Sequence, residues 1–132
     1  MLYYSTGTLR YSTRSYTLIM DVDQPLMDYY RKLIPKWHDY AESNRPMYNA
    51  HVSVIRKELP RNLHKWGKYQ GDSINFYYDG IIYGGEIYRW INVYSNQLEH
   101  IRMELDLPII EEYIQPPKGF SKTFHITLGN IK

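Results

Sequence analysis

The sequence repeats one pattern at His51-Val52-Ser53-Val54 and at His125-Ile126-Thr127-Leu128. In both stretches a histidine is followed by an apolar residue, a hydroxyl residue and a second apolar residue. Side chains alternate between the two faces of a β-strand, so we expect the imidazole and the hydroxyl to share one face while the apolar pair enters the core. The alternative is two unrelated, half-buried histidines whose neighbours satisfy them. A genuine repeat predicts a chain built from two related halves.

The first stretch closes a predicted strand–helix–strand unit. A strand rich in β-forming residues is predicted at 16–22. Asp23 is a candidate cap for an amphipathic helix over 26–40, within which Pro35 predicts a kink or break. A loop at 43–46 then leads to the closing strand at 49–56, which holds the first histidine.

The second stretch closes a similar unit. A strand is predicted at 86–93, and Ser95 or Asn96 can cap the helix that follows and ends by Pro108. The closing strand is predicted at 123–131. Between the units we expect a basic surface loop at 57–72. A hairpin turn at Asp79-Gly80 and a further turn at Gly84-Gly85 are expected after it.

Composition narrows the class of protein. The chain has 132 residues and no cysteine, which excludes a disulfide framework, a thiolate zinc site and a cysteine nucleophile. No apolar run approaches the roughly 18 residues of a membrane span, and no secretory signal is visible. We therefore expect one domain over residues 1–132, located in a cytoplasm and without a membrane partner.

Positive charge is concentrated in particular segments, although the formal net charge is only +2. Residues 44–70 carry six Lys or Arg against one Glu, and residues 115–132 carry three Lys and no acid. Such segregation attracts anions, phosphates among them. The fifteen tyrosines suit stacking on nucleobases, but most of them are expected in ordinary strand positions.

Two histidines and two hydroxyls suit the cleavage of a phosphodiester. One imidazole removes a proton from the attacking hydroxyl and the other protonates the leaving oxygen, a pair of roles that histidine serves near neutral pH. The neighbouring hydroxyls can donate hydrogen bonds to the non-bridging phosphate oxygens, where charge builds up. This chemistry predicts neither a metal ion nor a cofactor.

The paired motifs, 74 residues apart, resemble those of the two-histidine phosphoesterase superfamily. Three longer strings resemble the phage anti-CBASS phosphodiesterases, which degrade the cyclic di- and trinucleotide signals of a bacterial immune system. These strings are Tyr30-Arg31-Lys32-Leu33-Ile34-Pro35-Lys36, Ala50-His51-Val52-Ser53-Val54-Ile55-Arg56-Lys57-Glu58, and Pro116-Pro117-Lys118-Gly119-Phe120 leading to Phe124-His125-Ile126-Thr127-Leu128-Gly129-Asn130. The resemblance spans roughly residues 5–131.

The resemblance implies an α+β, bilobal fold with two antiparallel sheet units, each with a helix, related by a pseudo-twofold about a central cleft. It implies that His51 and His125 are the acid–base pair and that Ser53 and Thr127 bind the phosphate. It further implies a phosphate-site tyrosine, for which Tyr11 is the best match. An ordinary strand tyrosine is the alternative for this residue.

Three more residues are candidates for binding the substrate: the basic Arg56 and Lys122, and Trp66 for stacking a base. The alternative for Trp66 is a place in an exposed loop. The same loop, at 57–72, is the candidate cover that excludes water from the cleft.

The predicted function is metal-independent cleavage of 3′–5′ bonds in cyclic oligonucleotides, serving viral evasion of immunity in the host cytoplasm. Two alternatives remain: a 2′,3′-cyclic phosphodiesterase that acts on RNA ends, and a module that sequesters cyclic nucleotides without cutting them. Long nucleic acid is not expected as a partner. Ring size, base preference and oligomeric state do not follow from the sequence.

Overall fold

The computed structural model describes residues 1–12, 14–34, 49–84, 88–111 and 115–130. Pro35, the loop at 43–46 and Gly85 therefore lie outside the described residues. The predicted α+β class is confirmed. The strands and helices of the described residues are β1 (Tyr3–Tyr11), β2 (Leu18–Asp21), α1 (Gln24–Leu33), β3 (His51–Ile55), β4 (Ser73–Gly84), β5 (Tyr88–Tyr94), α2 (Asn96–Glu104) and β6 (Phe124–Asn130).

The strands form one antiparallel sheet that closes into a barrel in the order β1-β2-β3-β6-β5-β4. This order divides into two halves, β1-β2-α1-β3 and β4-β5-α2-β6, which share one sequence of elements. The halves join along two seams, where β3 pairs with β6 and β1 pairs with β4. The two sheet units expected from the sequence are therefore joined at both edges.

One core cluster joins the strands and both helices. Inward positions of the strands alternate with exposed ones, as the burial of Leu9, Phe76, Ile91 and Ile126 at 1% exposure or less shows. The helices complete the same cluster through their apolar faces, which contribute Met27, Tyr30, Leu98, Ile101 and Leu105.

The helices begin and end at the residues that local chemistry favours. Asp23 occupies the N-cap position of α1, and Ser95 caps α2 by accepting a hydrogen bond from the Leu98 N–H. Ile34, the residue before Pro35, is extended with ψ 124°, because a following proline disfavours the helical conformation. Neither described helix has the length and hydrophobicity needed to cross a membrane.

The hairpin predicted at Asp79-Gly80 is wrong, because β4 runs through these residues as a single strand. The segments on either side of Gly80 pair with Val93 and Ile91 of the same neighbour, β5, so the extra residues form a bulge. Gly80 has φ 72°, and the Asp79 carboxylate accepts a hydrogen bond from the Ile81 N–H. Positive φ at glycine therefore serves a bulge here instead of a chain reversal.

Candidate active site

The two repeated motifs lie on β3 and β6 and present their polar side chains on the face opposite the core. Their apolar positions are buried: Val52 and Ile126 are 0% exposed. His51 and Thr127 are half-buried, and Ser53 and His125 are exposed. The alternation predicted for both closing strands is confirmed.

Strand register brings the two motifs together. Val52 lies opposite Ile126 in the antiparallel pair of β3 and β6. The same antiparallel register places His51 opposite Thr127. It also places Ser53 opposite His125. Directly opposed side chains have Cβ atoms about 4.5–5.5 Å apart. This register therefore places each imidazole beside the hydroxyl of the other motif, with the same pairing on either side of Val52 and Ile126.

A β-bulge follows the hydroxyl residue in each motif. In β2, Leu18 pairs with Ile55 of β3, whereas the next residue, Ile19, pairs with Ser53. The pairing skips Val54, which is therefore the extra residue of the bulge in β3. In β5, Arg89 pairs with Gly129 of β6, whereas the next residue, Trp90, pairs with Thr127. The pairing skips Leu128, which is therefore the extra residue of the bulge in β6. The repeat in sequence is thus matched by a repeat in backbone irregularity, of the kind that often lies beside active sites.

One cleft of about 310 Å³ contains all four motif residues in its lining. Its charged wall is formed by Arg56, Glu58, Arg102, Glu111 and Lys122. The size is within the range of small-molecule sites. The structure therefore brings the four predicted catalytic residues together, with Arg56 and Lys122 from the predicted binding residues.

The charges in this cleft favour an anion. Arg102 contacts both carboxylate oxygens of Glu58 at 2.8 and 2.7 Å, and Lys122 Nζ lies 3.1 Å from Glu111 Oε1. Arg56 is exposed on the same wall. Three cationic side chains thus face two carboxylates, and the surplus positive charge suits a phosphate.

The tautomer of His51 follows from its backbone contact. Its Nδ1 lies 2.7 Å from the Asn49 carbonyl oxygen. A carbonyl only accepts, so Nδ1 carries the hydrogen and Nε2 is the unprotonated nitrogen of the neutral ring. The neutral ring of His51 can accept a proton through Nε2, and the charged ring can donate one from there.

His125 lies against the edge of Trp90, with ring centroids 5.5 Å apart and planes at 73°. Part of its side chain faces solvent, yet desolvation by the surrounding protein lowers its pKa below the ordinary value. Lys122 lowers this pKa further, and Glu111 acts in the opposite direction. The lowered pKa favours the neutral ring of His125, which can accept a proton.

We expect the imidazole proton resonances of His125 to titrate with a midpoint below about 6.5, the reference pKa of histidine. Lys122→Gln should raise the midpoint, because a repelling positive charge is removed. Glu111→Gln should lower it, because a stabilising negative charge is removed. NMR titration of the three proteins measures these shifts. Two variants that move the midpoint in the same direction contradict this description of the cleft.

Two of the predicted binding residues, Tyr11 and Trp66, are not among the residues that line this cleft. Tyr11 points inward from β1 and is 8% exposed. Its ring makes an edge contact with Trp66, whose centroid lies 5.0 Å away, and Trp66 also packs against Tyr16. Tyr11 therefore lies in the core cluster that the strands and helices share.

The basic loop at 57–72 is held against α2. Lys65 and Lys68 contact a Glu104 carboxylate oxygen at 2.6 and 3.5 Å, and the Tyr69 hydroxyl donates to the other oxygen. Hydrogen bonds from Lys65 and Tyr69 lower the pKa of Glu104 to about 2. Residues 59–72 do not line the cleft. Part of the charge predicted to attract substrate therefore anchors this loop against α2.

Arg102 is a cleft residue that sequence reasoning missed. It is 2% exposed and donates to the carbonyl oxygens of Val54 and Pro108 as well as to Glu58. An available signal was its position on the helix stripe of Leu98, Ile101 and Leu105, where a charged residue requires partners.

Among the described residues, no group of three or more His, Cys, Asp or Glu side chains is arranged to hold a metal ion. Comparisons of the chain with protein-family models, curated proteins and solved structures found no match.

Proposed function

We propose that this protein is a phosphodiesterase of the two-histidine type, which cleaves 3′–5′ bonds of cyclic di- and trinucleotides without a metal ion. One observation carries the proposal. The antiparallel pairing of β3 with β6 sets two imidazoles and two hydroxyls about a two-fold axis in a single positively charged cleft. A phosphodiester placed on this axis meets one imidazole on each side of the phosphorus.

In the proposed reaction the ribose 2′-hydroxyl is the nucleophile, because it lies next to the phosphorus and its attack is intramolecular. His125, whose lowered pKa favours the neutral ring, takes the hydroxyl proton as the O2′–P bond forms. His51 in its charged form donates a proton to the 5′-oxygen as the P–O5′ bond breaks. The product is a linear oligonucleotide that ends in a 2′,3′-cyclic phosphate. Water then opens this ring with the two proton-transfer roles exchanged.

The hydroxyls of Ser53 and Thr127 are proposed to donate hydrogen bonds to the non-bridging oxygens. They are displayed beside the imidazoles of opposite motifs, so the two contacts fall on either side of the axis. Arg56 and Lys122 supply positive charge on the wall of the cleft and are proposed to bind further phosphates of the substrate.

The choice of a cyclic oligonucleotide rests on the resemblance of the strings at 30–36, 50–58 and 116–130 to the phage enzymes. The same resemblance supports the bilobal two-histidine phosphoesterase fold, with which the two equivalent halves of the barrel agree. Such an activity removes an immune signal and takes place in the cytoplasm of an infected cell.

Incubation of the protein with 3′,3′-cyclic di- and trinucleotides in the presence of EDTA tests the proposal, with products separated by chromatography. We expect linear products. Activity that EDTA abolishes and Mg²⁺ restores contradicts the metal-independent mechanism. Opening of 2′,3′-cyclic phosphates on RNA ends alone favours the RNA-end phosphodiesterase, and binding without turnover favours the sequestering module.

Thr127→Ala should cost about 2–4 kcal/mol of transition-state stabilisation, the value typical of a lost oxyanion donor. Thr127→Ser should keep much of the rate, because Ser53 performs the equivalent role in the other motif. Values of kcat for both variants measure the effect. An equal loss in both variants would show that the methyl group of Thr127 matters for packing and that its hydroxyl does not take part.

A further inference from the structure

One arginine of each helix donates a hydrogen bond to the motif strand of the other half. Arg102 of α2 donates from Nη1 to the Val54 carbonyl oxygen of β3 at 2.8 Å. Arg31 of α1 donates from Nη1 to the Leu128 carbonyl oxygen of β6. The contacts are equivalent under the exchange of halves, although the two helices share almost no sequence.

Both acceptors are bulge residues. Val54 and Leu128 are the extra residues of their strands, so the regular ladder of hydrogen bonds is interrupted where each lies. Both side chains are turned into the core. A buried carbonyl without a donor costs free energy, and a guanidinium donor is among the strongest that can satisfy one.

We propose that Arg31 and Arg102 are positioning residues, which hold the two bulges from the opposite half and thereby orient the hydroxyls of Thr127 and Ser53 toward the phosphate. The inference rests on the proposed function and adds a mechanical link between the halves. Each hydroxyl residue is joined by one peptide bond to the bulge that an arginine holds. A shift of the bulge residue therefore shifts the hydroxyl residue beside it. A misplacement of about 1 Å can lower the rate 10²-fold.

Arg31 is the residue to replace first, because it is half-buried, whereas Arg102 is 2% exposed and its replacement also disturbs the fold. We expect Arg31→Met to lower kcat roughly 10- to 100-fold with little change in KM, since substrate charge is still met by Arg56 and Lys122. Arg31→Lys should recover much of the loss, because lysine retains a charged donor. Lys32→Met is the matched control: it removes a charge from the exposed neighbouring position of the same helix.

A double-mutant cycle separates positioning from general stability. If Arg31 acts through Thr127, Arg31→Met should have little further effect on kcat in a Thr127→Ala background and its full effect in a Ser53→Ala background. A merely structural role predicts equal effects in both backgrounds. Melting temperatures of all variants ensure that kcat is measured on folded protein.

The outcomes separate this inference from the proposed function. A wild-type protein that cleaves cyclic nucleotides, with Arg31→Met behaving as Lys32→Met does, overturns the inference and leaves the function in place. A wild-type protein without activity overturns the function. In that case the backbone amide resonances of Thr127 and Leu128 decide the inference: they should shift in Arg31→Met and not in Lys32→Met, and unchanged resonances overturn it.

Discussion

Replacement of either motif histidine by alanine should remove most of the cleavage of 3′,3′-cyclic dinucleotides. Each proton transfer is worth about 10²–10⁴-fold, so His51→Ala and His125→Ala should each lower kcat by that order. The double variant should be little worse than the worse single variant, because residues that act as a unit are not additive. Chromatography of the products gives the rates. A near wild-type rate in either single variant would mean that the repeat in the closing strands is structural.

Two controls accompany this experiment. His64→Ala removes an exposed imidazole that is not among the cleft residues, and it should leave the rate unchanged. Calorimetry should show that both motif variants still bind the substrate, because Arg56 and Lys122 remain. Loss of binding together with loss of turnover would assign the imidazoles to affinity instead of proton transfer.

The pH profile of the wild-type enzyme should rise and then fall, with limbs that belong to the pair of histidines. For kcat/KM, the rising limb reports deprotonation of the base in the free enzyme. The pKa of His125 is lowered by desolvation, so this limb should lie below about 6.5 if His125 is the base. A rising limb well above that pH would assign the base role to another group.

Arg102→Met should destabilise the fold by about 1–3 kcal/mol, the cost typical of leaving a buried acceptor, here the Val54 carbonyl, without its donor. The side chain is 2% exposed and ties α2 to β3, to Glu58 and to Pro108. Urea unfolding at pH 7 measures the free-energy difference from wild type. Arg61→Met, which removes an exposed arginine, should be close to neutral.

The loss of unfolding free energy caused by Arg102→Met should also depend on pH, and it should be smaller in acid. The hydrogen bond from Arg102 lowers the pKa of Glu58 in the folded state. The stability contributed by this shift is present above the unfolded-state pKa, about 4.3, and is lost as the pH falls through the lower folded-state pKa. The difference between wild type and Arg102→Met should therefore shrink in acid. A difference that is constant from pH 7 to pH 3 would mean that the ion pair contributes nothing and that the loss comes from packing and from the carbonyl contacts of Arg102.

Local signals in the sequence were sufficient for the secondary structure near the site. Alternation in the two motifs predicted which side chains face away from the core. Asp23, and Ser95 or Asn96, predicted the starts of the two helices, and Ser95 is the cap of the second. These features depend on residues within a few positions of each other, and their physics acts in an isolated segment. The same reasoning failed at Gly80, because a left-handed glycine is compatible with both a turn and a bulge.

By itself, therefore, the sequence determined the polar content of the site: two imidazoles and two hydroxyls on two strands, with the face on which each lies. The tertiary structure decided what surrounds them. Closure of the barrel buried Tyr11, put Ser53 beside His125, and turned Arg31 and Arg102 toward carbonyls of the opposite half. These contacts join residues 48 to 97 positions apart in the chain. They exist only once β3 pairs with β6, because strand partners and register are set by packing of the whole core and not by any local stretch.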